Sequence, residues 1–172
     1  MYIFETTEQN NAKANDFETK SLLYLMSFKS DSTDIDTFFI DCFNDITGAS
    51  SDLLKLWDVQ AKNISSLRPK TIGRSLITLF QNFISSVDFY EYILFIPKLK
   101  ENYLKDISLT EFKIENFKDI AKIREGLEEE YRRRKKLGSL NLKQLSQMNT
   151  FLEQIHFVTG DSSKAIYIKN II

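Results

Sequence analysis

Residues 53–62 have the sequence Leu-Leu-Lys-Leu-Trp-Asp-Val-Gln-Ala-Lys. Alternate side chains of a β-strand point to the same face, so Asp58, Gln60 and Lys62 would form a polar row inside an apolar run. A further acid, Asp45, follows an earlier strand-like segment. An acid, an amide and an amine in one row are unusual in a strand that serves packing alone. This row is therefore the first candidate for a site that carries chemistry.

The composition is that of one globular domain. The chain has 172 residues, of which 42% are apolar and 14 are Phe, enough to bury a core. With 23 basic and 24 acidic residues, the net charge does not attract nucleic acid, and any such surface must be a local patch. The lone Cys42 and the lone His156 exclude a disulfide framework and a Cys-rich or His-rich metal site, and both are interpreted as ordinary residues of the fold.

No apolar run is long enough to cross a membrane, and the first residues lack the pattern of a signal peptide. The sequence therefore predicts a soluble, cytoplasmic protein that makes no membrane contact.

The spacing of apolar residues predicts an α/β (α+β) fold, in which helices flank a central mixed β-sheet. Residues 5–14 are predicted as a polar lead-in, and residues 165–172 as either strand or helix. The predicted elements between them are a helix at 15–28, strands at 37–43 and 53–62 joined by a turn at 47–51, a helix at 69–86, a strand at 89–96, helices at 114–137 and 140–154, and a strand at 155–159.

The polar row suits phosphodiester hydrolysis. That reaction needs an activated water, a charge partner for the phosphate and a stabilised leaving oxygen, and Mg²⁺ supplies much of this through oxygen ligands. The Asp45 carboxylate, the Gln60 amide and the Ala61 backbone carbonyl are candidate oxygen ligands. Lys62 on the same face could orient the water or stabilise the phosphate.

Two other acids compete for these roles. Asp41 lies four residues before Asp45, so a regular strand would place both on one face. Asp58 competes in the same way with Gln60. The Gln-x-Lys spacing favours Asp45 and Gln60.

The combination of Asp45, Gln60-x-Lys62, a following helix and an apolar strand resembles the PD-(D/E)xK nuclease superfamily, in its Mrr-like branch with Gln in place of the second acid. The segments FFIDCFNDITG at 38–48 and LWDVQAKN at 56–63 are most similar to the double-stranded-DNA endonuclease domain of bacterial anti-phage effectors of cyclic-oligonucleotide (CBASS-type) signalling. These effectors begin with a helix that carries a Tyr-Gln pair, where this chain has Phe17-Glu18.

The resemblance implies a restriction-endonuclease-like fold over a single nuclease-like domain, 1–172, with a motif core at about 16–97 and a helical C-terminal part at about 114–154. It implies a catalytic set of Asp45, Gln60 and Lys62, with Mg²⁺ or Mn²⁺ held by Asp45, Gln60 and the Ala61 backbone. Glu18 would be an additional acid near the metal.

The resemblance further implies a metal-dependent endonuclease that cuts double-stranded DNA in anti-phage defence. Such effectors usually carry a second domain that senses a signal or hydrolyses nucleotide. The chain contains no phosphate-binding Gly-rich loop, so either it is an isolated nuclease domain or control lies on a partner protein, an ATPase or a signal sensor. Because cutting both strands needs two sites, a homodimer is a further expectation.

Two basic groups are candidates for contact with phosphates. Arg68, Lys70 and Arg74 adjoin the proposed site and are expected to meet the DNA backbone without reading sequence. The denser run at 132–136 follows acids at helical spacing, which favours a solvated, self-paired helix.

A catalytically inactive module with the nuclease fold, serving as an interaction or scaffold component of a defence complex, is the alternative to an active enzyme. The Gln at the position of the second acid favours this alternative, since it leaves one firm carboxylate.

Overall fold

A computed structural model describes residues 12–64 and 67–160. The predictions for residues 5–11 and 165–172 lie outside these ranges. Within them the helices are α1 (Ala12–Phe28), α2 (Pro69–Ser75), α3 (Ile77–Phe83), α4 (Ile120–Lys135) and α5 (Leu142–Gln154). The strands are β1 (Thr37–Ile40), β2 (Ile46–Ala49), β3 (Leu56–Ala61), β4 (Glu91–Pro97), β5 (Glu111–Lys113) and β6 (His156–Gly160).

The six strands form one mixed sheet in the order β1-β2-β3-β4-β6-β5. Strands β1, β2 and β3 are an antiparallel meander, β3, β4 and β6 run parallel, and β5 is antiparallel to β6. Helices cover the sheet on both sides, which confirms the predicted α+β fold.

Each face of the sheet has its own apolar core. On one face, α1 packs Tyr24 and Leu25 against Trp57 and Phe95. On the other face, a larger core includes residues of α2, α3, α4 and α5, such as Phe80 and Phe151. Strand β4 is buried on both sides because it lies between these two cores, which explains its almost continuous apolar sequence.

The prediction for residues 37–62 is wrong in its turns. Residues 47–49, predicted as a turn, belong to β2, and the chain reverses instead at residues 41–45 and 50–55. Gly48 lies in a narrow space, since a Cβ there would be 3.1 Å from Ile35 and 3.3 Å from Phe38 and Trp57. Packing requires small residues at these positions. Because a run of small residues is also typical of a turn, the sequence suggested a turn here.

Three further boundaries differ from the predictions. The helix predicted at 69–86 is divided at Leu76 into α2 and α3, and the helix predicted from residue 114 begins at Ile120. The short strand β5 lies in a segment for which no element was predicted. By contrast, α1, α5, β4 and β6 lie within two or three residues of their predicted bounds.

Helices α2 and α4 cross at two glycines. A Cβ on Gly73 would lie 1.9 Å from the carbonyl oxygen of Ile123, and a Cβ on Gly126 would lie 2.1 Å from that of Lys70. The backbones of α2 and α4 are therefore in direct contact. This contact fixes the position of α2, the first helix after β3.

Among the helices that the structure describes, none combines the length and the apolar character needed to cross a membrane.

Candidate functional site

Asp45 lies at the junction between the 41–45 turn and β2. In the β2–β3 register Ile46 is opposite Val59, so one position further along Asp45 comes opposite Gln60. Its carboxylate oxygen Oδ2 accepts hydrogen bonds from the Gln60 side-chain amide and, at 2.7 Å, from the Ala61 backbone N–H. The strand pairing thus brings together three residues that the sequence proposed as metal ligands.

The Gln60 amide is held on both sides. While its Nε2 donates to Asp45, its Oε1 accepts a hydrogen bond of 2.5 Å from the Thr78 hydroxyl on α3. Only 2% of Gln60 and 7% of Asp45 is exposed. Nε2 and Oε1 of Gln60 thus both have hydrogen-bond partners, so the Asp45–Gln60 pair is fully hydrogen-bonded through the Gln60 amide in this conformation.

Asp58 lies in the same polar layer, two residues before Gln60 and on the same face of β3. Its carboxylate is completely buried and accepts hydrogen bonds from Asn44 at 2.7 Å and from Asn82 at 2.8 Å. Burial raises the pKa of Asp58 to about 7, with a smaller contribution from the Asp45 charge, although the two amide donors oppose the shift. A buried carboxyl is therefore half-protonated near neutral pH.

Sequence reasoning did not identify the partners of this polar layer on α3. Thr78 and Asn82 are four residues apart on the helix, and they bond to Gln60 and Asp58, which are two residues apart on the strand. A spacing of four residues on a helix and of two on a strand places side chains on one face of each element. The sequence signal for these partners was therefore the pair of polar residues, Thr78 and Asn82, within the apolar stripe of the helix.

The polar row predicted for β3 is confirmed for Asp58 and Gln60, and α3 covers it. Lys62 directly follows β3, and its backbone N–H still pairs with the Phe95 carbonyl at 2.9 Å. Its side chain is half-buried.

Glu18 is half-buried on α1, next to Phe17, whose ring contacts the Phe95 ring with centroids 5.6 Å apart. Since Phe95 pairs with Ala61 in the sheet, Glu18 lies near the same end of the sheet as the proposed ligands, but α1 covers the face opposite to the one on which Gln60 bonds to α3.

Asp41 is separated from this layer. It is exposed and has a φ of 55°, as the first residue of the turn after β1, and its N–H donates to the Asp45 carbonyl at 3.1 Å. The expectation that a regular strand places Asp41 and Asp45 on one face is therefore wrong, because the strand ends at Ile40.

Two of the three basic residues proposed to contact DNA form ion pairs with α4. Lys70 lies 2.8 Å from Glu125 and 3.3 Å from Glu129, while Arg74 donates to Glu129 at 2.6 Å. Arg68 is exposed. The acids of α4 thus compete with phosphate for this patch, although such exposed pairs are weak enough to open.

In the described part of the chain, no three His, Cys, Asp or Glu residues are grouped as metal ligands. The oxygens available at Asp45, Gln60 and Ala61 are nevertheless of the kind that Mg²⁺ prefers.

Comparison of the chain with family models, curated proteins and solved structures gives no match.

Proposed function

We propose that the polar layer at the end of β3 is the site of a Mg²⁺-dependent (or Mn²⁺-dependent) endonuclease that cleaves double-stranded DNA. The observation that carries this proposal is the bonding of Asp45 to both Gln60 and the Ala61 backbone, immediately before Lys62. An acid, an amide and a lysine therefore lie at one end of the sheet, and this placement supports the roles that the resemblance to PD-(D/E)xK nucleases implies. A role in anti-phage defence and a regulatory partner protein remain predictions of that resemblance.

Asp45, Gln60 and Ala61 fit a metal ion if the side-chain amide of Gln60 is rotated by half a turn, which exchanges its oxygen and nitrogen. Its Oε1 would then face Asp45, and its Nε2 would face the Thr78 hydroxyl, which accepts as well as donates. The hydrogen bond to α3 would be kept. The Ala61 carbonyl adds a third oxygen, since the N–H and C=O of one residue in an extended strand face the same neighbour.

Each residue then has a defined role. The bound metal would polarise the phosphate and lower the pKa of a water molecule. Lys62 would stabilise the negative charge that develops as the water oxygen bonds to phosphorus and the bond to the leaving oxygen breaks. The buried Asp45 carboxylate, Gln60 Oε1 and the Ala61 carbonyl would be the three protein ligands that hold the metal.

The test is plasmid cleavage in the presence of Mg²⁺ by the full chain and by Lys62→Ala. We expect the variant to lose cleavage by at least about a hundredfold while its circular dichroism spectrum is unchanged. Lys143→Ala, at an exposed position on α5, is the matched control and should cut as the unmodified chain does. Equal cleavage by Lys62→Ala and the unmodified chain would exclude the assignment.

A specific observation favours the second candidate, an inactive scaffold with the same fold. Asp45 and Gln60 are almost fully buried and bond to each other, so metal entry has to break an existing contact. Calorimetric titration with Mg²⁺ separates the two functions. An active site gives saturable binding that Asp45→Asn removes, whereas the scaffold gives no binding heat and is expected to co-purify with a partner protein.

A further inference from the structure

The segment that follows β4 leaves the sheet at the end where the proposed nuclease site lies. Strands β3 and β4 are parallel, and the backbone N–H of Lys62 donates to the Phe95 carbonyl at 2.9 Å. Lys98 is three residues beyond Phe95, about 10 Å along an extended chain, which is the axial rise of about three nucleotides of one DNA strand. A nucleic acid that meets Lys62 therefore also reaches the segment after β4.

Three exposed lysines are gathered on this segment, and we call Lys98, Lys100 and Lys118 the β4-end lysines. Leu99, between the first two, is only 6% exposed and belongs to the core on the α3 side of the sheet. The Lys118 Nζ lies 3.5 Å from the backbone carbonyl oxygen of Glu101, the residue next to Lys100. The Lys118 ammonium is thereby brought to the same surface as the first two lysines.

Backbone pairing fixes the position of Lys118. Leu104 and Phe117 form an antiparallel bridge, and the Lys118 N–H donates to the Tyr103 carbonyl at 2.9 Å. Leu104 and Phe117 are both buried in the core that includes Leu99. The β4-end lysines thus extend from one packed framework, although they come from two separate parts of the chain.

The charge of the β4-end lysines is not neutralised by the described residues. None of the three forms an ion pair within 12–64 and 67–160, whereas Lys70 and Arg74 are paired with acids of α4. Contact between the β4-end lysines and phosphate therefore breaks no existing ion pair. The charged residues of 98–105 and 116–119 are four lysines and two acids, all exposed, with a net charge of +2: Lys98, Lys100, Lys105 and Lys118 against Glu101 and Asp119.

We propose, on the basis of the proposed function, that the β4-end lysines bind the phosphate backbone of duplex DNA beside the nuclease site, in place of Lys70 and Arg74. A lysine ammonium binds phosphate as a point charge, so this surface holds the duplex without reading its base sequence. Lys62 follows the adjacent strand β3, so the bound backbone extends from the β4-end lysines toward the site.

The test is equilibrium binding of the full chain to a fluorescent duplex of about 20 base pairs, in EDTA, at NaCl concentrations from about 50 to 200 mM. Each phosphate contact contributes about 0.9 to the slope of log K against log [NaCl], so the triple variant Lys98→Gln, Lys100→Gln and Lys118→Gln should reduce the slope by about 2.7. Its affinity at about 100 mM NaCl should fall more than about tenfold, equally for two duplexes of unrelated sequence.

The matched control removes the same charge from another surface. Lys135, Lys136 and Lys143 are exposed and lie around the end of α4. The 16 residues of α4 separate this end from the start of the helix beside Lys118 by about 24 Å. Gln at these three positions lowers the net charge equally, and we expect the slope to change by less than about one. The circular dichroism spectra of both triple variants should match that of the unmodified chain.

Four results would overturn the inference: no duplex binding by the unmodified chain, an unchanged slope in the first triple variant, an equal loss in the control variant, or an equal loss in Lys70→Gln with Arg74→Gln. None of these measurements requires cleavage. A chain that binds DNA through the β4-end lysines but cuts no plasmid in Mg²⁺ would overturn the proposed function alone. Plasmid cleavage together with unchanged DNA binding in the first triple variant would overturn the inference alone.

Discussion

Replacing Asp58 by Asn removes a titrating group from the buried polar layer while keeping its shape. The carboxyl is completely buried, and its pKa is raised by burial from the usual 3.8 to about 7. An asparagine at this position accepts from one neighbouring amide through Oδ1. The other neighbour, Asn44 or Asn82, can turn its own amide over to accept from the new N–H.

The direction of the pH effect follows from the raised pKa. Between about pH 4 and pH 7 the folded protein holds a proton on Asp58 that the unfolded chain has released, so the free energy of unfolding falls as the pH rises. Stability from this group is complete below the unfolded pKa and is lost as the pH passes through 7. The full loss is about 4 kcal/mol, of which about 2.5 kcal/mol falls between pH 5 and pH 8.

Urea denaturation of the unmodified chain and of Asp58→Asn, between about pH 5 and pH 8, measures this effect. The difference in the free energy of unfolding should shift in favour of the variant by about 2.5 kcal/mol across that range. Asp88→Asn, at an exposed position, is the control and should show no such trend. A difference that stays constant with pH would refute the reasoning, because it would mean that Asp58 is ionised in the folded protein throughout.

Two further substitutions test the framework around the site. Gly73→Ala places a Cβ 1.9 Å from the Ile123 carbonyl oxygen and should cost about 3 kcal/mol in urea denaturation, whereas Gly138→Ala, with no heavy atom within 4 Å, should be nearly neutral. Similar stability of both variants would contradict the close crossing of α2 and α4. Asn141→Ala removes the capping box that Asn141 and Gln144 form at the start of α5 and should cost about 1 kcal/mol in thermal unfolding, and an unchanged midpoint would count against the cap.

Elements with strong local signals were predictable from the sequence. Helix α5 is capped by Asn141, which exchanges side-chain-to-backbone hydrogen bonds with Gln144, and the apolar residues of the helix recur at helical spacing. Strand β4 is a continuous apolar run that ends at Pro97. In both cases the residues that form the element also determine its bounds, and the prediction required no knowledge of distant parts of the chain.

Strand β2 could not be predicted in this way. Thr47, Gly48 and Ala49 have the composition of a turn, yet all three are buried between β1 and β3. Phe38 and Trp57 pack so closely around Gly48 that a Cβ there would require its neighbours to move by a few tenths of an ångström. Their conformation is decided by neighbours that lie ten residues away on either side, against their local preference.

Residues 53–62 show the same contrast between features that the sequence predicted and features that depend on distant parts of the chain. The alternation of a strand was sufficient to place Asp58 and Gln60 on one face, and this was confirmed. The sequence could not show that this face lies beneath α3, which supplies Thr78 and Asn82 and excludes solvent. Nor could it show that the turn at 41–45 brings Asp45 opposite Gln60 and leaves Asp41 exposed.

The sequence by itself determined the elements with strong local signals, such as α5 and β4, and the shared face of Asp58 and Gln60 on β3, because these depend on periodicity within one segment. Only the tertiary structure decided the chemistry of those side chains. The burial of Asp58, the bonding of Asp45 to Gln60 and the ion pairs of Lys70 and Arg74 each depend on contacts between segments that are distant in the chain. Burial and charge pairing are sums over spatial neighbours, and no local pattern contains them.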